Sequence, residues 1–227
     1  MKFYRGKLTI EKAAEGIGKL KENSNNLLKE AELLFNNNMN QRAFTLAVLA
    51  VEENSKIHII KAILLNDKPE QLRKLWKDFI SHKEKNWPLT FLNLPENLVS
   101  SFKKLYEFLE DQESTSNNLE SKKQLSIYVD LDKNMNWVTP HSIINKEIAE
   151  VAIINTRYIL SDDNSGMTTL PELYLWVKHL KPLKNVNDND FKTALIKCYQ
   201  EAESLNVLTG SQTSNDIIHF FDKNILQ

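Results

Sequence analysis

The chain has 227 residues, 41% of them apolar, and its 29 basic and 30 acidic side chains leave a net charge of −1. That size suits one domain with additions, and the charge balance excludes a global basic field, so contacts to phosphate must come from a local patch. Few Gly and Pro (five and six) disfavour an all-β chain with many tight turns, and the single cysteine, Cys198, excludes an internal disulfide.

The opening stretch, Met1–Gly18, alternates charged with apolar residues and has no apolar core of the kind an ordinary signal peptide needs. No run approaches the ~18 apolar residues of a membrane span. We therefore expect a soluble, cytoplasmic protein with no membrane partner. The fold class expected is all-α: a helical bundle with a small β-hairpin insertion and extra C-terminal helices.

The first helix is expected from Thr9 to about Asn38. Ala13, Ala14, Ile17, Leu20, Ser24, Leu27, Ala31 and Leu34 recur at three-to-four spacing and make one face. Gly16 and Gly18 weaken its start, each by about 1 kcal/mol relative to Ala. Asn36–Asn38 stops it, and Asn40 is placed to cap the next helix.

The second helix, Asn40 to about Leu65, approaches all-round apolarity at Ala43, Phe44, Leu46, Ala47, Leu49, Ala50 and Val51. Such a helix belongs at the centre of a bundle or in a dimer interface. Glu52 and Lys56 are an i,i+4 pair in the favourable order. Either they form a surface ion pair, or Glu53 or Lys56 turns inward.

The third helix, Asp67 to about Lys85, has Pro69 in its first turn and a stripe of Leu72, Leu75, Trp76, Phe79 and Ile80, with Pro88 beyond its end. A short Asn-Asp turn should fold it back on the second helix as an antiparallel hairpin. A fourth helix is expected from about Pro95 to Leu109, and Gln112–Asn118 is a polar loop. Ser126–Asp132 is expected as a strand, Asp132–Asn136 as a turn and Trp137–Val138 as a return strand. A lone hairpin is marginal in water, so it should pack on the helices.

Thr139-Pro140 is a helix start, an N-cap followed by Pro at the first helical position, and that helix should continue to about Leu160. Shorter helices follow at Pro171–Leu180, Asp188 to about Asn206 and Ser214 to about Leu226. The expected division is a helical domain over 1–165, with its hairpin at about 126–138, and a small helical extension over 166–227.

No phosphate-binding Gly-rich loop, G-x-S-x-G elbow, H-E-x-x-H or EF-hand loop occurs. Five scattered His and one Cys give no metal-ligand spacing, so neither a metal nor any other cofactor is expected. Cys198 lies among Leu195, Ile196 and Tyr199 and reads as a buried structural thiol. Trp76 and Trp87 read as core or staple residues. His58, His141, His179 and His219 lack matching partners in the sequence.

The dense grouping of Lys, His and Trp is Trp76–Trp87, and within it Lys77-Asp78-x3-His82 carries chemistry suited to a phosphodiester. A His near neutral pKa takes or gives a proton, a Lys stabilises charge on a phosphoryl oxygen, and Asp78 orients either. Lys77 and His82 are about 140° apart on a continuous helix. They share a site if the helix opens near Ser81 or a partner chain completes it. The bland reading of His82, Lys83 and Lys85 is a solvated helix end whose cations complement the dipole.

Three blocks resemble the AbiV family of bacterial abortive-infection proteins in the HEPN superfamily. They are Ala47-Val-Leu-Ala-Val-Glu-Glu-Asn-Ser-Lys56, Phe79-Ile-Ser-His-Lys-Glu-Lys85, and Ile127-Tyr-Val-Asp130 followed by Trp137-Val-Thr-Pro140. Together they span about residues 10–160. The resemblance implies a HEPN-type bundle, usually a homodimer, working in phage defence. HEPN ribonucleases use R-x4-6-H, often with a polar residue after the Arg. Lys77-Asp78-x3-His82 matches that spacing with Lys in place of Arg, and Lys lacks the bidentate fork.

The expectation is thus an antiphage effector that shuts down translation, by RNA cleavage with Lys77, Asp78 and His82, or as a non-catalytic toxin that binds translation components or a phage protein. Glu53, Lys56, Lys83 and Lys85 would contact RNA or a partner, and a phage-encoded activator protein is a further expected partner.

Overall fold

The computed structural model describes residues 3–80, 119–161, 166–183 and 188–224. These are mostly helical, with nine helices and a two-stranded antiparallel sheet among the described residues. In chain order they are α1 (Ile10–Asn36), α2 (Asn40–Leu65), α3 (Pro69–Ile80), α4 (Leu119–Leu125), β1 (Asp130–Leu131), β2 (Trp137–Val138), α5 (Pro140–Ile143), α6 (Lys146–Leu160), α7 (Leu170–Leu180), α8 (Asp188–Ser204) and α9 (Ser214–Asn224). The fourth helix expected near 95–109 and the loop at 112–118 lie outside the described residues.

Asparagine ends two of the helices by the same device. Asn38 and Asn206 sit in the left-handed region at φ 59° and 53°. The N–H groups of Met39 and Asn38 donate to Leu34 and Phe35, and those of Val207 and Asn206 donate to Ala202 and Glu203. This is the Schellman arrangement, which satisfies carbonyls left over by the last turn. Asn40 does not cap α2 as expected. It is itself the first helical residue, and its Oδ1 is buried with no hydrogen-bond partner among the described residues.

By internal packing the chain forms two units, Met1–Leu20 with Lys56–Ile80 and Ser161–Gln227, and Lys21–Ser55 with Ser81–Leu160. In the first, Ala13, Ile17 and Leu20 of α1 meet Ile57, Ile60 and Leu64 of α2 and Leu173 of α7. Ile63, Leu72 and Trp76 make an adjoining cluster. α7 packs on α8 and α8 on α9, around Met167, Leu175, Cys198, Tyr199 and Ala202. Cys198 is fully buried, as expected.

Glu172 closes this end of the first unit. It has no exposure to solvent. Its Oε2 accepts from the N–H groups of Thr168 and Thr169 and from the Thr169 hydroxyl, at 2.7–2.8 Å. Its Oε1 accepts from the N–H and hydroxyl of Thr209, at 2.8 and 3.0 Å. Burial pushes its carboxyl pKa up, but the backbone N–H groups of Thr169, Thr209 and Thr168 and the Thr169 hydroxyl outweigh that and hold it below the ordinary glutamate value.

The second unit is built on α2. Ala43, Phe44, Ala47, Val48 and Ala50 are fully buried against Leu28 and Ala31 of α1 and Ile144, Ala149, Ala152 and Ile153. Most of the apolar surface of α2 is buried in this way, while Leu46 and Leu49 are half-buried.

Two expected elements differ. The helix expected from 140 to 160 is split. Thr139 caps α5 as foreseen, its Oγ1 accepting from the Ser142 N–H. Ile144 is then extended and fully buried, and its carbonyl accepts from Gln41 Nε2 at 2.9 Å. Asn145 restarts the helix by accepting from the Ile148 N–H through its Oδ1. The strand expected over 126–132 shrinks to Asp130–Leu131, paired with Trp137–Val138 in the register Asp130↔Val138, Leu131↔Trp137. Ser126 instead lies in the turn directly after α4, buried, its hydroxyl 2.6 Å from that of Thr45 on α2. The hairpin turn is held by Asp132, whose Oδ1 accepts from the N–H groups of Asn134 and Asn136. The hairpin was expected to bury its apolar side chains against helices, yet Tyr128, Val129, Leu131, Met135 and Trp137 are all exposed.

Candidate functional site at the end of helix α3

The orientation of α3 follows from its apolar stripe. Leu72 and Trp76 are buried, and the Trp76 indole N–H donates to the Gly6 carbonyl at 2.8 Å. The Phe79 ring meets Trp76 edge-on, with centroids 5.3 Å apart. Trp76 is thus a core residue, as expected. With these side chains turned inward, the next residue, Lys77, is exposed, and Asp78 is half-buried.

α2 brings one further predicted residue to α3. The Lys56 ammonium lies 5.2 Å from the centroid of the Phe79 ring, a cation–π contact. The structure therefore joins Lys56 to the helix carrying Lys77 and Asp78. Glu53 is half-buried on α2. His82, Lys83 and Lys85, with Trp87, lie outside the described residues.

Of the charged residues expected on α2, Glu53 and Lys56 are half-buried rather than fully withdrawn. Glu52 is the residue that turns inward, 2% exposed, and its carboxylate takes the Lys123 ammonium of α4 at 3.0 and 3.2 Å. Lys123 is itself buried. The two are 71 positions apart, and nothing local in the sequence links them.

Of the scattered histidines, His179 does acquire a partner. Its Nε2 is 2.7 Å from Glu201 Oε2, and Lys178 donates to the same carboxylate at 2.6 and 2.8 Å. The hydrogen bonds from Lys178 and then His179 hold the Glu201 carboxyl below its ordinary range. Cys198 is no nucleophile, since burial pushes its thiol up to about 12. Among the described residues no group of three or more His, Cys, Asp or Glu is placed to hold a metal ion, and no helix is long and apolar enough to cross a membrane.

The HEPN-domain family described as AbiV matches residues 12–160. The chain belongs to the AbiV family. Membership implies a part in abortive infection, an antiphage defence. The match takes in α1 through α6, and with them Glu52, Lys56, Lys77, Asp78 and the hairpin. The AbiV span leaves out residues 3–8 ahead of α1, and α7, α8 and α9 behind it. No curated protein and no solved structure matches the chain.

Proposed function

We propose that this AbiV-family chain is an antiphage effector that shuts down translation during infection, by cutting RNA at the stretch Lys77–His82. The observation that carries the reading is the setting of Lys77. Buried Leu72 and Trp76 fix the register of α3 and leave Lys77 exposed, with no carboxylate partner among the described residues. A lysine so placed is available to a phosphate.

In this reading His82 takes the proton of the attacking hydroxyl or returns one to the leaving oxygen. Lys77 stabilises the charge on the phosphoryl oxygens and Asp78 orients. Neither role needs a metal ion. Glu53, Lys56, Lys83 and Lys85 contact RNA or a partner. The proposal takes 1–165 as the effector domain and 166–227 as its helical extension. It includes a homodimer, which rests on the family rather than on α2, and a phage-encoded activator.

A second reading, a non-catalytic toxin that binds translation components or a phage protein, is favoured by one residue. Lys77 stands where the HEPN motif has Arg, and an ammonium lacks the planar fork that grips a phosphate.

One comparison tests both. Wild type and His82→Ala are assayed for cleavage of RNA and for inhibition of cell-free translation. The cutting version expects His82→Ala to lose cleavage and inhibition together, by about a hundredfold or more. Equal inhibition by both proteins, with no RNA cut by either, sinks it and leaves the binding version.

A further inference from the structure

The segment ahead of α1 is pinned to the first unit at three successive residues. The Gly6 carbonyl accepts from Trp76, Lys7 pairs with Asp67, and Leu8 packs among the buried residues of the core. Asp67 is held in turn by Lys181 at 3.0 Å. Beyond this anchorage the arm exposes its aromatic rings. Phe3 and Tyr4 are 68% and 65% exposed. Tyr4 folds back so that its hydroxyl donates to the Lys7 carbonyl at 2.7 Å. Its ring covers Gly6 so closely that a Cβ there would stand 2.5 Å from the Tyr4 oxygen.

Between the rings lies a cation. The Arg5 guanidinium is 5.4 Å from the Phe3 centroid and 5.3 Å from the Trp76 centroid. Arg73, Lys74 and Lys77 stand exposed on α3 around Trp76. Among the described residues none of these four cations has a carboxylate partner, and the acidic residues of α3 are Glu70 and Asp78. An arm that served only to plug the fold would bury its rings and neutralise its charges. This one leaves its rings to solvent and holds Arg5 half-buried between Phe3 and Trp76.

We propose that Phe3, Tyr4 and Arg5, with Arg73 and Lys77 of α3, form a binding platform for single-stranded RNA. Bases stack on the two exposed rings, and phosphates meet the unpaired cations. This is the combination that holds single strands without reading their sequence. A cation against a ring face keeps its charge for the phosphate. A second exposed aromatic pair among the described residues, Tyr128 and Trp137, is close in sequence to Asp130 and Asp132 and suits an anion poorly. The proposal rests on the reading of the chain as an RNA-directed effector. It adds a surface for the strand whose arm residues, Phe3, Tyr4 and Arg5, lie outside the AbiV-matched span, while Arg73 and Lys77 lie within it.

The test uses the full chain and a short fluorescent 2′-O-methyl oligonucleotide, which binds but cannot be cut through its 2′ oxygen. Binding is followed by anisotropy across a range of salt. The double variant Phe3→Leu/Tyr4→Leu keeps apolar bulk and removes stacking, and it should bind about a hundredfold more weakly, roughly tenfold per ring. Arg5→Gln should lower the slope of log K against log salt by about 0.7. The same sequence as a duplex should bind more weakly than the single strand. Equal affinity of the leucine variant and wild type overturns the platform even if the chain cuts RNA through His82. Equal binding of duplex and single strand, or none of either at low salt, overturns it as well. A wild type that binds the strand through the rings but cuts no RNA leaves the platform standing and removes the cleavage reading.

Discussion

Glu172 in the first unit and Glu52 in the second are both carboxylates withdrawn from water, 0% and 2% exposed, and they are stabilised by opposite means. Glu172 is surrounded by neutral donors, backbone N–H groups and threonine hydroxyls from the start of α7 and from Thr209. Glu52 faces a buried cation, Lys123, on a helix of seven residues. A carboxylate ringed by N–H groups ties loops together, because each donor would otherwise be a buried orphan. A buried ion pair ties two side chains, and its attraction must offset the desolvation of both charges. The first arrangement stabilises backbone, and the second chiefly selects which helix may dock.

The sharpest way to break this contrast is Glu172→Ala. It strands the donors of Thr168, Thr169 and Thr209 and should cost about 4 kcal/mol, read as a lower urea midpoint by circular dichroism. Glu52→Ala comes next. Leaving the buried Lys123 without the Glu52 carboxylate should cost about 3 kcal/mol. The double variant Glu52→Leu/Lys123→Met should recover to within about 1 kcal/mol of wild type, since the apolar pair carries no desolvation cost. No such rescue exists for Glu172, three of whose five donors are backbone N–H groups; a Glu172→Leu variant as stable as wild type would dissolve the distinction.

The smallest effect is in pH. The folded-state pKa of Glu172 lies below its unfolded value. Its contribution is therefore complete above the ordinary glutamate pKa of about 4.3 and is lost as pH falls through the lower folded value. The urea midpoint of wild type should drop more steeply below that pH than the midpoint of Glu172→Gln. Parallel profiles would mean that Glu172 does not carry the acid sensitivity.

What the sequence discloses divides along the same line. Local devices were legible. The face of α1, the asparagine stop near 36–38, the Thr139-Pro140 start and the buried thiol of Cys198 depend on neighbours within a turn or two. The helix over Pro171–Leu180 was legible, but Glu172 as a hub was not, because Thr209 is 37 positions away. Glu52 was misjudged for the same reason. Its i,i+4 neighbour Lys56 is visible in the sequence, whereas Lys123 is brought to it by the fold. The break at Ile144 follows from a side chain, Gln41, reaching a carbonyl 103 positions on. The burial of Leu72 and Trp76 followed from the spacing of the α3 stripe, whereas Ile80, counted in the same stripe, is exposed. Neither the arm's anchorage to Trp76 nor the cation on Phe79 had any signal in residue spacing.

The sealed thiol of Cys198 has a chemical consequence. Burial pushes its pKa up to about 12, so at neutral pH Cys198 stays in the thiol form, whereas the thiolate is the form that reacts with oxidants and disulfides. Its Sγ points at the Met167 sulfur 3.9 Å away, inside a cluster that water does not reach. Glutathionylation, sulfenic acid formation and mixed disulfides all begin with that exposed anion. The folded chain thus offers peroxide and glutathione no reactive thiol at Cys198, and the methionines that stand in solvent among the described residues, Met39 and Met135, are the sulfurs an oxidant meets first.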